Sequence, residues 1–129
     1  MKPKILVIDD EEEYRAILRE VLRGDGYTVM VAPDGTTGLA CARHEQFDLI
    51  VTDMIMPDMH GTELIAKLRL AGCTTPIIAI SGHPDGDASL AVAEAYSANG
   101  ALTKPFKVRE LKKMVKGLLT IGKNEMMTV

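Results

Sequence analysis

Phe47-Asp48-Leu49-Ile50-Val51-Thr52-Asp53-Met54-Ile55-Met56-Pro57 is the stretch on which the fold turns. Leu49-Ile50-Val51 is an unbroken apolar run, the pattern of a strand covered on both faces. The run stops at Asp53, and Pro57, Gly61 and the polar residues between them prevent strand continuation. Open parallel sheets bind ligands beyond the carboxyl ends of their strands. Asp53 therefore stands where chemistry is expected, and other polar residues are judged by whether they can reach it.

Upstream, Ile5-Leu6-Val7-Ile8 is a second apolar run, ending on Asp9-Asp10. Tyr14, Ile17, Leu18, Val21 and Leu22 then recur at helical spacing, and Gly24 and Gly26 stop the helix. Tyr27 to Ala32 is rich in β-branched residues and reads as an edge strand. Pro33-Asp34-Gly35 is a turn, followed by a helix over residues 36–45 with Leu39 and Ala42 on one face. Downstream, residues 61–70 form a helix with Leu64, Ile65 and Leu68 inward. Gly72 and Thr74-Thr75 break it, and Pro76 opens the strand Ile77-Ile78-Ala79-Ile80, which ends on Ser81. A loop over residues 82–86 leads to an alanine-rich helix over 87–98, with Leu90, Val92, Ala93 and Tyr96. Ala101-Leu102-Thr103 is a short last strand ending on Lys104-Pro105. The final helix turns Leu111, Met114, Val115 and Leu118 inward and Lys112, Lys113 and Lys116 outward. The expected organisation is one domain over residues 1–121 and a short frayed tail over 122–129.

Five strands alternating with five helices predict an α/β fold: a single doubly wound (βα)5 domain with a five-stranded parallel sheet. A length of 129 residues, with 47% apolar and 26% charged residues, suits one globular core. A formal net charge of −3, no Trp, three Tyr and two Phe argue against nucleic-acid binding by this domain. Cys41 and Cys73 form no CxxC pair and read as reduced thiols. His44, His60 and His83 share no metal-ligand spacing. Four apolar residues after Met1-Lys2-Pro3-Lys4 make neither a secretory signal nor a membrane span, so a cytoplasmic location is expected.

Every candidate polar group falls at a strand's carboxyl end: Asp9 and Asp10, Asp53, Ser81 and Lys104. In the common flavodoxin-like order 2-1-3-4-5, strands one and three are neighbours, and Asp9, Asp10 and Asp53 converge in one crevice. Clustered carboxylates raise one another's pKa values, and a hard divalent cation such as Mg²⁺ relieves the repulsion. A carbonyl from the loop after Asp53 is a candidate further ligand. A carboxylate nucleophile beside Mg²⁺, a Lys ammonium and a Ser hydroxyl suits phosphoryl transfer through an acyl phosphate. Taken singly, these residues have plainer readings. The acidic run Asp9–Glu13 can be a helix N-terminus, Asp53 a turn, Ser81 a cap and Lys104 a solvated cation. Their joint placement at one sheet edge is what favours chemistry.

Asp9-Asp10, Asp53 with Met56-Pro57-Asp58 and Gly61, Ser81-Gly82, and Lys104-Pro105-Phe106 resemble the receiver domain of two-component response regulators, the chemotaxis-receiver-like superfamily. The resemblance covers about residues 4–121. It implies that Asp53 accepts a phosphoryl group from a phosphohistidine of a sensor histidine kinase or histidine phosphotransfer protein. It further implies that Asp10 binds Mg²⁺ directly and Asp9 mainly through water, with Asp53 and the Ile55 carbonyl among the ligands. Ser81 and Lys104 would hold the phosphoryl oxygens, and the Lys104–Pro105 bond would be cis. The signal would pass, by a shift of a pre-existing equilibrium, to a downstream protein or to an output domain for which nothing after residue 121 leaves room. Only analogy suggests a weak homodimer through the last two helices.

The chain departs from the family pattern at Ala101, where receivers often carry a Tyr or Phe three residues before the Lys. A muted conformational response is the expectation, or one carried by the loop after Ser81 and the helix over 87–98. Ile55 and His83, two residues after Asp53 and Ser81, lie where receivers tune the access of hydrolytic water. Three other readings compete. A phosphorylation-independent receiver-like scaffold has no need of all five polar residues. An aspartyl-phosphate phosphatase of the haloacid dehalogenase type wants its nucleophile after the first strand and a second Asp two residues on, where Glu11 stands. A flavodoxin-like electron carrier would set its acidic loop against the FMN phosphate.

Overall fold

The structure, a computed structural model, describes residues 2–82 and 98–127, with the side chains of the last helix as far as residue 120. The elements are β1 (Lys4–Ile8), α1 (Glu12–Gly24), β2 (Thr28–Ala32), α2 (Gly35–His44), β3 (Leu49–Asp53), α3 (Gly61–Leu70), β4 (Ile77–Ser81), β5 (Gly100–Thr103) and α4 (Val108–Met127). All five strands pair in parallel, in the order β2-β1-β3-β4-β5. The flavodoxin-like order expected from the sequence is the one observed, with β2 at an edge.

The period-two alternation of strand side chains divides the core into two layers. Leu6, Ile8, Ile50, Ile77 and Ala79 face Leu39 of α2 and Leu64, Ile65 and Leu68 of α3. Ile5, Val7, Leu49, Val51, Ile78 and Ile80 face Leu18 and Leu22 of α1 and Leu111 and Val115 of α4. Both faces of β3 and β4 are buried throughout, which is why these strands read as continuous apolar runs rather than alternating ones.

Local chemistry sets where the helices begin and end. Asp34 Oδ1 accepts the Thr37 N–H at 2.7 Å and caps α2. Gly26 and Gly72, at φ 91° and 86°, take the left-handed backbone that lets the chain leave α1 and α3. Gly38 lets α2 lie close on the sheet, since a Cβ there would come within 2.5 Å of Ile8 Cδ1.

Two sequence expectations are corrected. Ile17 is not inward but 47% exposed, because Leu18 and Leu22 set the rotation of α1 on the sheet. The last helix does not fray at Gly122 but continues to Met127, since one glycine in a helix costs only about 1 kcal/mol. The helix expected over 87–98, with His83 and the loop before it, falls largely on residues 83–97, outside the described residues. Among the described residues, no helix is long and apolar enough to cross a membrane.

Candidate phosphoacceptor and metal site

The site forms because parallel strands end on one edge. Ile8 lies beside Thr52, Asp53 beside Ile80, and Ser81 beside Thr103 in the sheet register. Asp9 follows β1, Asp53 closes β3, Ser81 closes β4 and Lys104 follows β5. Asp9, Asp10, Asp53 and Lys104 come together there, and Ser81 ends the strand next to that of Asp53.

The loop after Asp53 is held from within. Met54, Met56 and Met59 are buried, while Pro57 and Asp58 stay exposed. Gly61 donates its N–H to the Met54 carbonyl at 2.8 Å. A Cβ on Gly61 would lie 2.7 Å from Met54 Cα and 2.9 Å from the Asp53 carbonyl oxygen, so backbone itself would have to move. Gly61→Ala is expected to cost about 1–3 kcal/mol of stability, measured by urea unfolding, with an amide shift at Asp53 as the local sign. Asp58 ties the same loop to α2. It accepts from the Thr36 hydroxyl at 2.7 Å and from the Thr36 and Gly35 N–H groups at 2.9 and 3.2 Å. The Thr36 hydroxyl and N–H, followed by the Gly35 N–H, hold its carboxyl below the usual range.

Lys104 Nζ sits at the centre of the acidic groups. It hydrogen-bonds Asp53 Oδ2 at 3.1 Å and Glu11 Oε1 at 2.9 Å, and lies 3.0 Å from Asp9 Oδ2. Its fourth side is the Tyr14 ring, with the centroid at 4.0 Å, and that ring meets Phe106 at 6.0 Å. Burial by itself would lower the Lys104 pKa, but the carboxylates of Glu11, Asp9 and Asp53 outweigh it and hold the pKa above its usual value. Burial raises the Asp53 carboxyl, against the Ile55 N–H that donates to Oδ1 at 3.2 Å and against the Lys104 charge. Burial likewise raises Asp10, helped by the charges of Asp53 and Glu11. Ser81 is fully buried, and its carbonyl accepts the Lys104 N–H at 2.6 Å. The Lys104–Pro105 bond is cis, as the resemblance implies.

Oxygens of Asp9, Asp10, Glu11 and Asp53 lie within 4.8 Å of one another. Asp9 Oδ1 accepts the Glu11 N–H at 2.9 Å, whereas the buried Oδ2 has no aligned hydrogen bond, Lys104 being near but off its direction. An orphaned carboxylate oxygen in an oxygen-only cluster fits a hard divalent cation. Glu11 and Tyr14 were not singled out as site residues from the sequence, where they read as helix-start charge and helix core. Glu11 lies 93 residues from Lys104 along the chain, so no local pattern carries their contact.

Residues 5–116 match the family profile of the response regulator receiver domain. This chain belongs to that family. As a receiver domain it resembles the alkaline phosphatase synthesis transcriptional regulatory protein PhoP of Bacillus subtilis, at 36% identity over 92% of this chain and 49% of that protein. SphR of Synechococcus elongatus, likewise a transcriptional regulatory protein of alkaline phosphatase synthesis, is 35% identical over 95% of this chain and 51% of its own. The chain spans about half the length of the curated relatives it matches. Among solved structures, the receiver domain of Francisella response regulator 1452 superposes with a TM-score of 0.88 at 30% identity, covering 94% of this chain and 99% of that one. A CheY-like receiver domain protein from Methanospirillum hungatei gives 0.90 at 28% identity, covering 97% and 99%. The chain is thus a receiver domain of the two-component response regulators, a family whose general role is to accept a phosphoryl group.

Proposed function

We propose that Asp53 is the phosphoacceptor of this receiver domain and that a sensor histidine kinase or histidine phosphotransfer protein is the donor. The observation that carries this reading is the buried Asp53 carboxylate, hydrogen-bonded to Lys104 Nζ at 3.1 Å within the four-carboxylate cluster. A carboxylate oxygen of Asp53 forms the new P–O bond as the P–N bond of the phosphohistidine breaks, and the electron pair of that bond goes to the imidazole nitrogen. Lys104 and the Ser81 hydroxyl hold phosphoryl oxygens. Lys104 brings a positive charge to a place where negative charge accumulates. Asp9, Asp10, Asp53 and the Ile55 carbonyl would hold Mg²⁺, which when bound neutralises phosphoryl charge. The output goes through a protein partner or an attached output domain, from a cytoplasmic location.

The test is intact mass after incubation with Mg²⁺ and acetyl phosphate. One phosphoryl group is expected on the wild type, none without Mg²⁺ and none on Asp53→Asn. No adduct on the wild type would sink the reading and favour the phosphorylation-independent scaffold.

Ile55 sets a second expectation. Ile55 is 46% exposed, and its backbone N–H donates to Asp53 Oδ1 at 3.2 Å, which puts the residue beside the acceptor carboxylate. An apolar group there obstructs the water that hydrolyses the acyl phosphate. Ile55→Asn is expected to shorten the phosphoryl half-life by roughly threefold or more, about 0.7 kcal/mol of barrier. An unchanged decay of the labelled protein would refute it.

A further inference from the structure

Four groups surround Lys104 Nζ, and they differ in their freedom to leave it. Asp9 and Asp53 are fixed at strand ends, with side chains 1% and 5% exposed. Tyr14 is held on α1 against Phe106. Glu11 alone of the four has a side chain mostly in solvent, 55% exposed, yet it makes a 2.9 Å bond to Nζ. Glu11 is also the N-cap residue of α1, and its side chain makes no cap hydrogen bond. It reaches away from its own helix, across to the cation. The acidic preference of the helix start is already met by Glu12 and Glu13.

A phosphoryl group on Asp53 needs an aligned N–H from Lys104. Of the three N–H groups of the ammonium, two make aligned bonds, to Asp53 and to Glu11, and Asp9 Oδ2 crowds the same nitrogen at 3.0 Å. Releasing Asp9 or Asp53 would leave a buried carboxylate without its cation, whereas Glu11 can return to water at little cost.

We propose that Glu11 is a positioning residue that occupies the phosphoryl-oxygen place on Lys104 in the unmodified protein and yields it when Asp53 is phosphorylated. Glu11 holds the ammonium at the acceptor before the donor arrives. It also opposes the incoming group twice, by taking up a donor N–H and by adding a negative charge next to an anion. The acceptor is thereby kept less reactive towards small adventitious phosphodonors, and a docked donor must displace one surface carboxylate. The proposal rests on the reading of Asp53 as acceptor.

Glu11→Gln removes the charge and keeps the size, on an exposed side chain that caps nothing. Three measurements are set beside wild type and Asp53→Asn: the rate of labelling by acetyl phosphate at saturating Mg²⁺, the affinity for Mg²⁺ alone, and the ¹⁵N side-chain resonance of Lys104 in metal-free protein. Labelling is expected to speed up by roughly three- to tenfold, with a gain that shrinks as salt is added. Mg²⁺ affinity should stay within about twofold, and the Lys104 resonance should move without any metal present. Labelling that is unchanged or slower would overturn the proposal, as would an unmoved Lys104 resonance. A tenfold loss of Mg²⁺ affinity would overturn it too, by making Glu11 part of the metal set. A wild type that takes no phosphoryl group overturns the acceptor reading and this proposal together. A labelled wild type with an indifferent Glu11→Gln overturns this proposal alone.

Discussion

Metal-free Asp53→Asn is expected to unfold at a higher denaturant concentration than wild type at pH 7, while taking up no phosphoryl group. Burial pushes the Asp53 carboxyl above its ordinary value of 3.8, and the Ile55 N–H and Lys104 offset this only in part. A carboxyl whose pKa is raised by folding binds protons more tightly in the folded chain. Its favourable contribution is complete below the unfolded value and is lost as pH rises through the folded one. At neutral pH the ionised Asp53 therefore strains the site, and asparagine removes that charge without changing the shape. The gain should be about 1 kcal/mol at pH 7. Two dependences identify the cause. The gap between variant and wild type should close as pH falls through the raised Asp53 value towards 3.8. It should also narrow when Mg²⁺ is added, because the cation stabilises the carboxylate form more than the amide. Urea titrations at several pH values with and without Mg²⁺ measure both. A gap that stays constant in pH would assign the gain to something other than this charge.

Lys104→Met is expected to give the largest combined loss. The ammonium lies within 3.1 Å of three carboxylates, and its side chain is 7% exposed. Removing it leaves Asp9 and Asp53 buried without a cation, which should cost about 2–4 kcal/mol in metal-free protein at pH 7. Because the Lys104 pKa is held above its usual 10.5, the wild-type ammonium stays charged across the neutral range, and its contribution is lost only in strong alkali. The deficit of the variant should accordingly shrink with added Mg²⁺, and also as pH falls through the raised Asp53 value, where that carboxylate takes up its proton. Phosphoryl incorporation should fall by about 100-fold, the usual effect of removing one preorganised donor from developing negative charge. Folded variant protein that is labelled at the wild-type rate would remove Lys104 from the site's chemistry.

These effects are opposite in sign for stability and alike for function, a consequence of crowding like charges at one sheet edge. Tight packing below the edge keeps the strand ends in place, and the loop after Asp53 is anchored by three buried methionines together with the hydrogen bonds of Asp58 to Gly35 and Thr36.

The amino-acid order by itself determined the strands, their parallel arrangement and the residues at their carboxyl ends. Apolar runs that end on a charged or hydroxyl residue are a local signal, and a parallel sheet places all such ends on one side. Asp9, Asp10, Asp53, Ser81 and Lys104 were legible for that reason. The contacts of Glu11 and Tyr14 with Lys104 were not, since they depend on how β5 lies relative to α1 once the sheet is assembled. Helical periodicity names a face only to within a residue or so, so Ile17 read as core although the rotation of α1 turns it to solvent. Gly61 could be recognised as part of a motif, but the reason it must be glycine is a backbone approach to Met54 and Asp53 that only the folded chain creates. Tertiary structure decided which charges share one ammonium, because that depends on ångström distances between elements far apart in the chain.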